Sequence, residues 1–254
     1  MATFDKVRSS AGIGNAKVDT YVHEARVKQG ETVSGDIIIV GGENEQPINA
    51  IYVSLMTSVV VEQNGKRAME NFEIQRVKVS DSFSINPGEE KTVPFAFDVS
   101  LQTPLTVKRI EVWLKTALDV RFECEPKDND LINVTGSETA KNILMALQQM
   151  DFAIKRVFNI KSRITESGIV QEFEFYAGGD YQKNFKELEL VMIQNMNGVT
   201  VFISTDNGES ERTLFLAQRI RRDDPLISVH YNDVPSVETV AEQLHDLFVN
   251  KSRK

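Results

Sequence analysis

Apolar and polar residues alternate with a period of two through most of the first half of this chain. Residues 16–27 alternate β-branched and polar positions, and Gln29-Gly30-Glu31 supplies a turn in which glycine relieves the backbone. Valine and isoleucine dominate 32–40 before Gly41-Gly42 breaks the run. Residues 48–63 make the next strand pattern. Asn64-Gly65 follows it and predicts a hairpin, because both residues tolerate positive φ. On the return, Phe72, Ile74, Val77 and Val79 stand between the polar Glu73, Gln75 and Lys78, with a slip near Arg76 that reads as a bulge. Asn86-Pro87-Gly88-Glu89 predicts a turn, Val93, Phe95 and Phe97 a short strand, and 110–122 a further strand carrying the single tryptophan, Trp113. Strands at this spacing with no helix between them predict an antiparallel β-sandwich.

The charged, turn-forming run at 125–130 marks a boundary, dividing the chain into a β-sandwich domain, 1–128, and an α+β domain, 129–254. Beyond it the period changes. Thr135-Gly136-Ser137-Glu138 has capping-box spacing, and Ile143, Leu144, Leu147 and Met150 define one face of a helix. Strand patterns resume at 152–164, 169–176, 185–194, 198–205, 213–217 and 227–231, with Asn197-Gly198 predicting a second hairpin. Pro235-Ser236 opens a closing amphipathic helix. Its stripe is Val237, Val240, Leu244, Leu247 and Phe248, with Glu238, Glu242, Gln243 and Asp246 mostly opposite. That stripe is expected to fold back on its own sheet, since an unpacked apolar face invites aggregation.

Composition narrows the classes. The 254 residues are 41% hydrophobic and 26% charged, which is enough apolar material for packed cores. A net charge of −8 repels a phosphate backbone and argues against nucleic-acid binding. The densest arginine cluster, Arg219, Arg221 and Arg222, is followed at once by Asp223 and Asp224 and reads as a solvated segment. One cysteine, Cys124, excludes an intramolecular disulfide. The N-terminal residues do not read as a secretory signal, and no stretch reaches the ~18 apolar residues of a membrane span. A reducing cytoplasm is the expected location.

Local motifs for chemistry are absent from the sequence. His23, His230 and His245 share no ligand spacing, and no second cysteine completes a zinc set. His245, on the closing helix, is expected at the surface. Cys124 sits between Glu123 and Glu125, which raise a thiol pKa and disfavour a nucleophile. Gly12-Ile13-Gly14 lacks the strand and third glycine of a dinucleotide fingerprint. Asp128/Asp130 and Asp223/Asp224 lack the pattern of a calcium loop, and Asp206-Asn207-Gly208-Glu209 reads as a turn. No residue is therefore assigned a catalytic, cofactor-binding or metal-ligating role, and no cofactor is expected. Ser/His/Asp catalysis rests on geometry that spacing does not reveal.

Several motifs resemble the bacterial sporulation-control protein M family. They are Gly12-Ile-Gly-Asn-Ala-Lys-Val-Asp-Thr20, Gly30-Glu-Thr-Val-Ser-Gly35, Ile39-Val-Gly-Gly42 and Ser54-Leu-Met-Thr57. Further along stand Asn86-Pro-Gly-Glu-Glu-Lys91, Pro94-Phe-Ala-Phe97, Thr103-Pro-Leu-Thr106 and the run from Val112 to Val120. Order and spacing match over about residues 10–122. Val170-Gln-Glu-Phe-Glu-Phe175 and Glu187-Leu-Glu-Leu190 extend the likeness. The resemblance implies an arrestin-like fold for the first domain and a cytoplasmic regulatory or scaffolding role without catalysis. The glycines of these motifs permit turns or close backbone approach, and Trp113, Phe95 and Phe97 are expected to fill the sandwich core.

The expected function is contact with other proteins, whose identity the sequence does not give. Sheet edges and the closing helix are the expected surfaces, and a homodimer through that helix is one arrangement open to it. Neither nucleic-acid binding nor integral membrane association is expected. The alternatives are a membrane-peripheral adaptor and a hydrolase whose site is invisible in sequence. The acidic body of the closing helix disfavours anionic lipid.

Overall fold

The computed structural model describes residues 16–63, 66–120, 127–206, 215–220 and 227–251. Cys124, the 221–224 run, Asn64-Gly65, Gly12-Ile13-Gly14 and residues 207–209 lie outside them. The chain forms two compact units. The first takes in 1–57, 71–100 and 111–134, and the second 58–70, 101–110 and 135–254.

In the first unit, β1 (Lys17–Val22), β3 (Thr32–Val40) and β7 (Glu90–Asp98) form an antiparallel three-stranded sheet in the order β1-β3-β7. A second sheet runs β4-β8-β9-β2, built from β4 (Gln46–Gln63), β8 (Val112–Val120), β9 (Lys127–Thr135) and β2 (Arg26–Lys28). The strands β5 (Lys66–Ser80) and β6 (Phe83–Ile85) also pair with β4. Strand alternation places Val33, Ile37 and Ile39 of β3 on the same core as Ile51, Val53 and Leu55 of β4 and Val112, Leu114 and Leu118 of β8. Phe95 and Phe97 join that core from β7. This is an arrestin-like β-sandwich.

Gly35 has a specific reason. It pairs with Val22 on one side and Phe95 on the other. A Cβ built there would stand 2.3 Å from the Tyr21 carbonyl oxygen and 2.7 Å from the Phe95 ring. Gly88 adopts φ 69° in the predicted Asn86–Glu89 turn, which closes with the Glu89 N–H donating to the Asn86 carbonyl at 3.0 Å. In β5 the burial alternation slips between Ile74 and Gln75, next to the predicted irregularity at Arg76.

Four expectations change. Trp113 does not fill the sandwich core: β8 alternates strictly, so Val112 and Leu114 point inward and Trp113 faces the other side, half-buried. The run expected to be a turn and boundary is already strand from Lys127, because Asp128 and Asp130 pair in register with Thr116 and Leu114. The hydroxyl that caps the first helix belongs to Ser137, not Thr135, which is still the last residue of β9. Ser137 Oγ accepts from the Ala140 N–H at 3.3 Å. The segment at 213–217 is not a strand where it is described: Leu216–Ile220 is a short helix, α2. A short apolar run cannot distinguish the two by period, and the Phe215 N–H is met by the Gln218 side chain at 3.2 Å.

The second unit is an antiparallel sheet, β14-β13-β12-β11-β10. Its strands are β10 (Ala153–Lys161), β11 (Ile169–Tyr176), β12 (Glu187–Asn195), β13 (Gly198–Asp206) and β14 (Ile227–Tyr231). The end of β4 that belongs to this unit pairs parallel with β10 at Val60 and Ile160. The second predicted hairpin forms, with Met196 and Asn197 as its loop and Asn195 facing Gly198. Helices α1 (Glu138–Gln149) and α3 (Val237–Lys251) pack on the face bearing Phe173, Phe175, Leu188 and Leu190. The α3 stripe folds back as expected: Val240, Leu244 and Phe248 are buried there, with Phe248 against Phe152, Tyr181 and Phe185 at ring distances of 5.4–5.6 Å. Ser236 caps α3 through the Thr239 N–H at 3.1 Å.

Removing the Phe248 ring leaves a cavity among three aromatic neighbours. Phe248→Ala is expected to cost about 3–5 kcal/mol of stability, read by urea unfolding. Deleting 236–254 is expected to unfold the second unit, read as lost ellipticity, because the stripe is core and not surface. Gly35→Ala is expected to destabilise the sandwich, since backbone on one side and a packed ring on the other must both move; a lowered thermal midpoint checks it.

Candidate functional site

Strand alternation splits β11 and β12 in two. Phe173, Phe175, Leu188 and Leu190 go to the helix-covered face, so Glu172, Glu174 and Glu189 must go to the other. That other face is not left to water. Leu216 and Ala217 of α2 bury against Ile160, Val170 and Val191 there. The three carboxylates are consequently 0%, 8% and 8% exposed.

Buried carboxylates need partners. Glu174 accepts from Arg156 Nε at 2.8 Å. Glu189 is paired with Arg219 Nη2, and Arg219 Nη1 donates to Ser204 Oγ at 3.0 Å. Glu172 has no cation among the described residues. Its Oε2 accepts the Ala217 N–H at 3.1 Å, and its Oε1 is buried with no hydrogen-bond partner. Burial pushes its pKa from the ordinary 4.5 up to about 7. The charges of Glu189 and Glu174 add to this, and the N–H groups of Ala217 and Leu216 offset part of it. Lys155 and Arg67 complete the cationic fringe: Lys155 pairs with Glu187, and the Arg67 guanidinium lies 4.6 Å from the Phe215 ring centre.

A second polar constellation surrounds Gln171, on the helix-covered side of β11. Its amide exchanges two hydrogen bonds with the backbone of Leu105, at 3.0 Å and 2.9 Å, and also reaches Asn159 at 3.3 Å. This pins the irregular segment around Leu105 to the sheet.

The histidines take separate partners. His245 is exposed on α3, as expected, and meets Tyr181 Oη at 2.7 Å; His230 meets Thr200 at 2.8 Å. His23 lies between Ser34 Oγ, 3.3 Å from Nδ1, and Asp36 Oδ2, 2.9 Å from Nε2. Spacing did not reveal this trio, because β3 brings Ser34 and Asp36 to one face two residues apart. It does not have the arrangement of a serine hydrolase, where serine meets Nε2 and the carboxylate holds Nδ1. His23 and Asp36 are also half-exposed, on an open sheet flank. Asp128, considered as a metal ligand, directs its two oxygens to the N–H groups of Thr20 and Asn129. Among the described residues no three His, Cys, Asp or Glu side chains are grouped to hold a metal ion. No described helix is long and apolar enough to cross a membrane.

The fold defines a mainly β protein of two units, an arrestin-like sandwich and a sheet with a helical layer. A family model described as SpoOM protein matches residues 4–209. The sporulation-control protein spo0M of Bacillus subtilis (strain 168) is 30% identical over 256 residues, covering 98% of this chain and 99% of the relative. The crystal structure of Spo0M from Bacillus subtilis superposes with a TM-score of 0.86 at 28% identity, covering 94% of this chain and 99% of that one. The chain belongs to the Spo0M family.

Arg219→Ala strands Glu189 without its guanidinium and is expected to cost about 3–5 kcal/mol in urea unfolding. Replacing both partners, Arg219→Met with Glu189→Leu, is expected to recover most of that loss, because an apolar pair leaves no buried charge.

Proposed function

We propose that this chain is a non-enzymatic cytoplasmic regulator that acts by contacting other proteins; the sporulation-control name of its relative supports the regulatory part. The observation that supports this is the end-to-end correspondence with the Bacillus subtilis protein, which spans both units and not the sandwich alone. Several interior polar side chains have structural contacts: Gln171 holds a loop, Glu189 and Arg219 join β12 to α2, and Glu172 receives the start of α2. In the His23 trio serine meets Nδ1 and the carboxylate meets Nε2, the reverse of the Ser-His-Asp template. The α3 stripe, which a membrane-peripheral adaptor would need at its surface, is occupied by Phe152, Tyr181 and Phe185.

Complementation tests the reading. In a Bacillus subtilis strain lacking its own spo0M, expression of this chain is expected to restore the sporulation phenotype. His23→Ala and Ser34→Ala are expected to complement as well as the parent. If either folded variant fails to complement, the hydrolase reading returns.

A further inference from the structure

Three carboxylates are buried on the β11–β12 face, and two guanidiniums, Arg156 and Arg219, meet two of them. Glu172 is the one left over, and it is also the most deeply buried. Its contact is with the beginning of α2, through the Ala217 N–H at 3.1 Å. Among the described residues, the groups around it come from several elements. Glu174 shares its strand, Glu189 projects from β12, Ser204 from β13, and Arg219 from α2. Arg156 and Lys155 project from β10, held by Glu174 and Glu187, and Arg67 of β5 lies over Phe158 and Phe215. Among the described residues each of these cations has a partner other than Glu172, and a negative charge on Glu172 would face two carboxylates with no described cation of its own.

We propose that the seat of α2 on the β11–β13 face is proton-controlled: a neutral Glu172 holds α2 down, and its ionisation loosens it. This goes beyond the interaction reading above and does not rest on it.

The sign follows from the proton balance. With α2 docked, Glu172 keeps its proton up to about pH 7; once α2 lifts and water reaches the carboxyl, it falls back toward 4.5. The docked state therefore binds more protons between those values, and docking weakens as pH rises through them, reaching its full loss above pH 7. From pH 6 to pH 8 the opening equilibrium is expected to rise about tenfold. Opening exposes Glu172, Glu174 and Glu189 together.

Hydrogen exchange of the 215–220 amides in the full chain, corrected for intrinsic rates, reads this directly. Protection is expected to fall about tenfold between pH 6 and pH 8, while α1 amides hold. Glu172→Gln keeps an acceptor for the Ala217 N–H but carries no charge, and is expected to remove the pH dependence. Glu174→Gln, whose parent carboxylate has its own guanidinium, is expected to retain it. Equal protection at both pH values in the parent, or an unchanged fall in Glu172→Gln, overturns the proposal. Should Glu172→Gln fail to fold, carbon-13 titration of the parent's Glu172 carboxyl decides. A midpoint near neutrality supports the proposal, and one in the ordinary carboxylate range overturns it.

Discussion

The second unit is organised by a charge balance under a covered sheet face. Alternation sends Phe173, Phe175, Leu188 and Leu190 to one side of the sheet. The same geometry commits Glu172, Glu174 and Glu189 to the other, whatever covers it. Because α2 covers it, the face needs guanidiniums at defined places. Arg219 sits on α2 and binds Glu189 and Ser204, so the element that excludes water also carries the compensating charge. A pair of this kind contributes little net stability against an apolar alternative, but it defines where α2 must sit.

The first unit is held by a different rule. Its two sheets share one apolar core, and Gly35 lets the Phe95 ring lie against the β3 backbone. Here polar groups are met locally: Thr20 and Thr116 hydroxyls at 2.7 Å, and Asp128 with the Thr20 N–H at 2.8 Å. The outer face is not wholly polar. Met56, Trp113 and Leu131 are aligned across β4, β8 and β9, and Leu131 is 63% exposed. Strand register put these three side by side, and alternation kept Trp113 out of the core.

The family relation supports a regulatory role. Catalytic carboxyls of raised pKa face a cleft where substrate can reach them. Glu172 instead faces the start of a helix, through the Ala217 N–H.

The patterns of hydrophobic residues determined most of the elements. Period-two runs defined the strands, and Ile169–Tyr176 and Thr32–Val40 match residue for residue. The apolar stripes defined α1 and α3, including the burial of Val240, Leu244 and Phe248. These are local properties, fixed by backbone period and by the cost of exposing a stripe. What needed the tertiary structure was the identity of each face's cover. The Glu-Phe-Glu-Phe and Glu-Leu-Glu-Leu runs announce two-faced strands, and carboxylates on such strands ordinarily face water. Only the return of α2 turned that face inward and brought Arg219 onto Glu189, 30 residues distant in the chain. His23, Ser34 and Asp36 met for the same reason, through strand register and not spacing. Period is written into neighbouring residues, whereas burial of a polar face depends on distant ones, and so only the folded chain decided which carboxylate met which guanidinium among the described residues.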